Sequence, residues 1–160
     1  MNDGDSLCAR CAAAGRTCCQ DTQVFLTLGD VARIAGAGEA GFSEHSPPAE
    51  DSCGPDPAID PLWARTFAGD GRRRVIRHAA SGDCHFLTGS GCRLPAATRP
   101  LVCRLYPFEY NHDTIKGVNG HLCPEPGNAP LLLAMLAMDR VAAEKWRAQL
   151  YHEIADEFPG

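Results

Sequence analysis

Long apolar runs are missing from this 160-residue chain: the longest, Leu131 to Met138, falls far short of the ~18 residues a spanning helix requires. The start, Met-Asn-Asp-Gly-Asp, is acidic and has neither the basic residues nor the apolar stretch of a secretory signal. Positive charge is in deficit, with 15 Lys and Arg against 20 Asp and Glu and a net charge of −5. That balance excludes general electrostatic attraction to nucleic acid or anionic lipid. No internal repeat is present. These absences predict a soluble, cytoplasmic protein with neither a membrane nor a nucleic acid as partner.

What the chain has in plenty is cysteine, nine in all. In a reducing cytoplasm a disulfide framework is disfavoured, and an odd count leaves one thiol over in any fully paired scheme. Four disulfides and a spare thiol are the alternative in an oxidising compartment. Hydrophobic content of 44% and charged content of 22% are ordinary for a folded chain, and the length suits a single domain over 1–160.

Local patterns predict an α+β fold: a small irregular metal-organised domain with short strands or hairpins, short helices and one long C-terminal helix. Gln23–Thr27 reads as a strand and Gly29–Ala35 as a helix, with Asp30 in its first turn, where a carboxylate suits the dipole. Residues 36–61, rich in Gly, Pro, Ser and acidic side chains, read as a loop insertion. Leu62–Phe67 suggests a helical turn. Asp70-Gly71 suggests a hairpin-type turn into Arg74–His78. Residues 82–94 read as two short strands about a Gly-Ser-Gly turn, each carrying a cysteine. Arg99-Pro100 opens a short helix through Tyr106 that Pro107 ends. Glu109–Leu122 suggests a hairpin turning at Asn119-Gly120. Residues 130–158 form the long helix, with Leu131, Met135, Met138, Ala142, Trp146, Gln149, Leu150 and Ile154 as its apolar-side stripe.

Cys53 stands alone in the 36–61 insertion. The other eight cysteines, Cys8, Cys11, Cys18, Cys19, Cys84, Cys92, Cys103 and Cys123, make two sets of four, the number that completes a tetrahedral zinc site or a cubane iron–sulfur cluster. Cys8 and Cys11 form a Cys-x-x-Cys turn that sets two sulfurs on one side of a tight loop. Adjacent Cys18 and Cys19 point apart more easily than together. Structural zinc usually shows two paired knuckles, and here there is one. The later spacings of eight, eleven and twenty residues suit a centre assembled by tertiary folding. Cys123-Pro124 matches the end of many bacterial iron–sulfur runs, and Arg93, Arg99 and Arg104 offer positive charge to offset thiolates. An iron–sulfur cluster is therefore favoured over zinc.

The pattern "CARC……CC", "CHFLTGSGC", "RPLVCRLYPF" and a late "CP" resembles the YkgJ-type cysteine-cluster proteins over residues 8–124. The resemblance implies a zinc- or iron-chelating domain whose eight cysteines correspond to those eight positions. Six residues separate Cys11 from Cys18, where that family commonly has two, so the resemblance leaves open which cysteines share a centre. Relatives with a similar cluster take part in flagellin lysine methylation.

Other signals are discounted. "GAGEAG" (36–41) follows a helix instead of a strand, so its glycines read as a helix cap and not a dinucleotide loop. "RRRVIR" (72–77) reads as a solvated strand face. His85 and His121 flank cysteines and read as hydrogen-bonding or solvent-facing neighbours of the centre. The expected function is metal binding in electron transfer, or as an accessory to a modification system with a possible protein partner. A structural zinc module for protein interaction and an enzyme related to lysine methylation are the alternatives. Against the latter, no S-adenosylmethionine loop is recognisable, and no catalytic residue is assigned.

Overall fold

The computed structural model describes residues 20–49, 52, 54–67, 71–106, 108–118 and 140–159. Expectations for Cys8 to Cys19, Cys53, Pro107, Asn119-Gly120, Cys123 and the first part of the C-terminal helix lie outside them. Within the described residues the protein is α+β as expected, with short helices, three antiparallel strand pairs and a long last helix.

Helix α1, Leu28–Gly36, has the ends its sequence asks for. Thr27 accepts from the Asp30 amide and the Asp30 carboxylate accepts from the Thr27 amide, a reciprocal capping box. At the other end Gly38 (φ +95°) donates to Ala35 and Glu39 to Ile34, a Schellman stop. The GAGEAG glycines therefore cap a helix, as read.

The 36–61 stretch is not all loop. Ser43–Ser46 forms strand β1, antiparallel to β2, Arg73–Ile76. The polar Ser-Glu-His-Ser sequence carries no strand alternation; it pairs because β2 has an edge to offer. On its other edge β2 meets the extended 24–26 segment, through Leu26 N–H to Arg74 O and Ile76 N–H to Val24 O, both 3.0 Å. Gln23–Thr27 is thus extended as expected, but it makes only isolated bridges. The expected turn at Asp70-Gly71 includes Asp70, which lies outside the described residues. Ahead of it Leu62–Phe67 is helical as expected: α2, Pro61–Ala64, is followed by a 3₁₀ turn, Arg65–Phe67. Asp60 caps α2 by accepting from the Trp63 amide, and Pro61 sits at its first position.

The arginine run is a further correction. Arg73 is 1% exposed, its guanidinium 3.9 Å from the Phe67 ring centroid and 5.0 Å from those of Phe25 and Trp63. The rings of Phe25, Trp63 and Phe67 cover the face of β2 that carries Arg73. Burial pushes the Arg73 pKa down to about 10, while the aromatic faces and the Thr66 hydroxyl receive the charge.

Strands β3, Leu87–Thr88, and β4, Gly91–Cys92, form the expected hairpin about Gly89-Ser90. Helix α3, Leu101–Leu105, follows. Strands β5, Phe108–Tyr110, and β6, Ile115–Val118, turn at Asn111–Thr114, earlier than expected. There the Asn111 side-chain carbonyl accepts from the Asp113 and Thr114 amides, a local contact that makes the turn.

Helix α4, Arg140–Glu157, packs against α1, α2, α3 and β6. Its buried residues are Ala143, Leu150, Tyr151 and Ile154, so Ala143 and Tyr151 take the places expected of Ala142 and Gln149. Carboxylates from α4 cap the start of α1: Glu153 accepts from the Thr27 hydroxyl and Arg33, and Glu157 from the Leu28 amide. The Tyr151 hydroxyl donates to Asp60 over 2.6 Å, and burial together with that carboxylate holds its pKa far above the usual phenol range. Among the described residues no helix is long and apolar enough to cross a membrane.

Candidate metal centre

Three of the eight candidate ligands lie among the described residues: Cys84, Cys92 and Cys103. Cys84 comes before the β3–β4 hairpin instead of on it. It sits 9% exposed in the core, and its carbonyl accepts from the Leu87 amide. Cys92 ends β4 opposite Leu87 and is half-buried. Both thiols lie within electrostatic reach of Arg93. The hydrogen bond to Glu39 raises the Arg93 pKa most, and the charges of Glu39, Cys92 and Cys84 act in the same direction. Arg93 is held in place by Glu39 (2.8 Å), by the His85 carbonyl (2.7 Å) and by the Phe86 ring face.

Cys103 occupies the third position of α3, half-buried, its amide donating to Pro100 O over 2.9 Å. Pro100 at the N-cap brings no side-chain cap, so the first amide of α3 needs another acceptor. Asp30 of α1 supplies it, accepting from Leu101 N–H at 3.1 Å while also meeting Arg33 at 2.8 Å. Asp30 is fully buried, and desolvation pushes its carboxyl pKa up against the opposing pull of Arg33, Thr27 and Leu101. One buried carboxylate therefore sets both the start of α1 and the position of the helix that carries Cys103. The sequence reading placed Asp30 in α1 and had no signal for this second role.

The flanking arginines divide their work. Arg104 lies within electrostatic reach of Cys103, but its pKa is lowered, with burial the largest cause. It donates to Arg99 O (2.7 Å) and Ala97 O (2.6 Å), and Arg99 donates to Leu94 O (3.0 Å). These contacts brace the loop between Cys92 and Cys103, with Arg99 held through its Nε to a backbone carbonyl.

Gln20, the residue after Cys19, forms an antiparallel bridge with Asp83, the residue before Cys84, and its amide nitrogen donates to the Asp83 carboxylate at 2.7 Å. Asp21 N–H donates to Gly82 O at 2.9 Å. Gly82 has φ +93°, a backbone conformation that favours glycine in this turn.

Among the described residues no three His, Cys, Asp or Glu side chains gather closely enough to hold a metal by themselves. The donor chemistry fits a zinc or iron centre nevertheless: soft thiols at the core's edge, each with a guanidinium in reach. His85 packs edge-on to Phe86 and lies within electrostatic reach of Glu39. His121 lies outside the described residues.

A family model described as CxxCxxCC, a putative zinc- or iron-chelating domain, matches residues 7–124. This covers most of the chain, and the chain belongs to that family. No curated protein matches it, and no solved structure does. Family membership supports metal binding.

Proposed function

We propose that this member of the CxxCxxCC family carries an iron–sulfur centre in the cytoplasm, in electron transfer or as an accessory to a modification system. Its ligands are Cys8, Cys11, Cys18, Cys19, Cys84, Cys92, Cys103 and Cys123, which divide into two sets of four. Cys53 is left out. The observation that carries the reading is Arg93, anchored by Glu39 and within reach of Cys84 and Cys92 together. Four thiolates on one centre accumulate negative charge, and a fixed guanidinium beside two of them offsets part of it. Arg104 beside Cys103 adds to the same balance.

Anaerobic purification followed by iron, zinc and acid-labile sulfide analysis tests this. Iron and sulfide in matching amounts, with visible charge-transfer absorption, are expected. Zinc without sulfide would overturn the iron–sulfur assignment while leaving a metal protein, and no metal above background would overturn metal binding itself.

A further inference from the structure

We propose that His78 supplies its Nε2 as a nitrogen ligand to the metal centre that Cys84 joins, a donor outside the eight cysteines. This rests on the metal-binding reading above. His78 lies opposite Cys84 in an antiparallel bridge. The hydrogen bonds flanking that bridge, Ala79 N–H to Asp83 O (2.9 Å) and His85 N–H to Arg77 O (3.0 Å), make His78 and Cys84 a non-hydrogen-bonded pair. In such pairs both side chains project from one face with Cβ atoms about 4.5–5.5 Å apart, a span one metal ion bridges.

The imidazole is prepared for ligation. Nδ1 lies 3.2 Å from Ile76 O, and a carbonyl only accepts, so the proton sits on Nδ1 and the Nε2 lone pair is available. Nε2 is buried and has no hydrogen-bond partner. An unsatisfied buried acceptor costs on the order of 1–3 kcal/mol, and native proteins rarely keep one without a use. A ligating histidine characteristically donates its other ring N–H to a backbone carbonyl, as here. His112 and His152 instead face carboxylates. The turn that presents His78 and Cys84 is held by Gly82 and by the Gln20–Asp83 bridge, one residue beyond Cys19. His78 and Cys84 are two donors toward that centre. A mixed cysteine–histidine set is an established form of both zinc and iron–sulfur ligation.

Zinc(II) and cobalt(II), each titrated into the anaerobically prepared apo chain, are the probes. In the zinc-loaded parent with ¹⁵N-labelled histidine, one imidazole is expected to show a metal-bound Nε2 and a protonated Nδ1, absent from His78→Ala. His78→Ala should lose metal to a competing chelator more than about 100-fold more readily, beyond the roughly 10–100-fold of partners that only support a ligand. His78→Cys should restore retention and move the cobalt d–d bands to lower energy as sulfur replaces nitrogen. His45→Ala, at an exposed position of β1, should match the parent. If the parent takes up metal but no histidine nitrogen is metal-bound, or His78→Ala holds metal as tightly, the inference is wrong and the metal-binding reading stands. If the parent takes up neither metal, the inference falls, and the metal-binding reading falls with it only if the chain as purified anaerobically also holds no iron.

Discussion

Replacing Asp30 by Ala removes the acceptor of two buried amides at once, Thr27 N–H in α1 and Leu101 N–H at the start of α3. Each buried donor left unsatisfied costs about 1–3 kcal/mol. Arg33 loses one carboxylate but keeps Glu153. Against these losses stands relief: the raised Asp30 pKa means that the fold already bears a cost for burying its charge. The net expectation is a destabilisation of about 2–4 kcal/mol, a fall in Tm of about 5–15 °C for a chain of this size. Urea unfolding followed by far-UV dichroism and by fluorescence of the buried Trp63 measures it. Asp30→Asn keeps a carbonyl acceptor and should cost less. The pH dependence has a definite sign. A carboxyl with a raised folded pKa favours the fold below its unfolded value of 3.8 and loses that contribution as pH rises through the folded pKa. Asparagine does not titrate, so the deficit of Asp30→Asn should narrow as pH rises above 3.8. An Asp30→Ala protein within about 0.5 kcal/mol of the parent, the range of ordinary surface changes, would refute the bridging role.

Three other perturbations follow from the same contacts. Gly82→Ala forces a side chain into φ +93°, at about 1–2 kcal/mol, whereas Gly36→Ala meets open space and should stabilise by about 0.4–1 kcal/mol; paired thermal melts compare them, and equal melting temperatures would contradict the turn's demand for glycine. Arg73→Ala empties an aromatic cage and should cost about 3–5 kcal/mol, while Arg73→Met, which fills it, stays within about 1.5 kcal/mol of the parent; denaturant titration showing the two equally stable would argue against packing as the role of Arg73. Cys103→Ser should lose metal and Cys53→Ser should not, checked by elemental analysis after anaerobic purification; equal losses would mean that the wrong cysteine was set aside.

Helix ends and tight turns are decided within three or four residues, and there the sequence was legible. Asp30 in the first turn of α1, the glycines that end it and the Gly-Ser-Gly turn of the β3–β4 hairpin were read from the residues, whereas the equally local caps Thr27 and Asp60 were found in the structure. The cysteine spacing likewise carried the family. What the chain could not show from one stretch was which surface another stretch would cover. The three-residue and four-residue steps of α4 set its period. Its contacts with α1, α2, α3 and β6 set its phase, turning Ala143 and Tyr151 inward and Gln149 out. Arg73 reads as solvated until the Phe25, Trp63 and Phe67 rings close over it, and Ser43–Ser46 reads as loop until an edge of β2 receives it. The second role of Asp30 spans 71 residues of chain, and the pairing of His78 with Cys84 depends on two backbone hydrogen bonds across a turn. Propensity acts along the chain, whereas burial and orphaned donors act across it, and only folding brings the second kind of partner into reach.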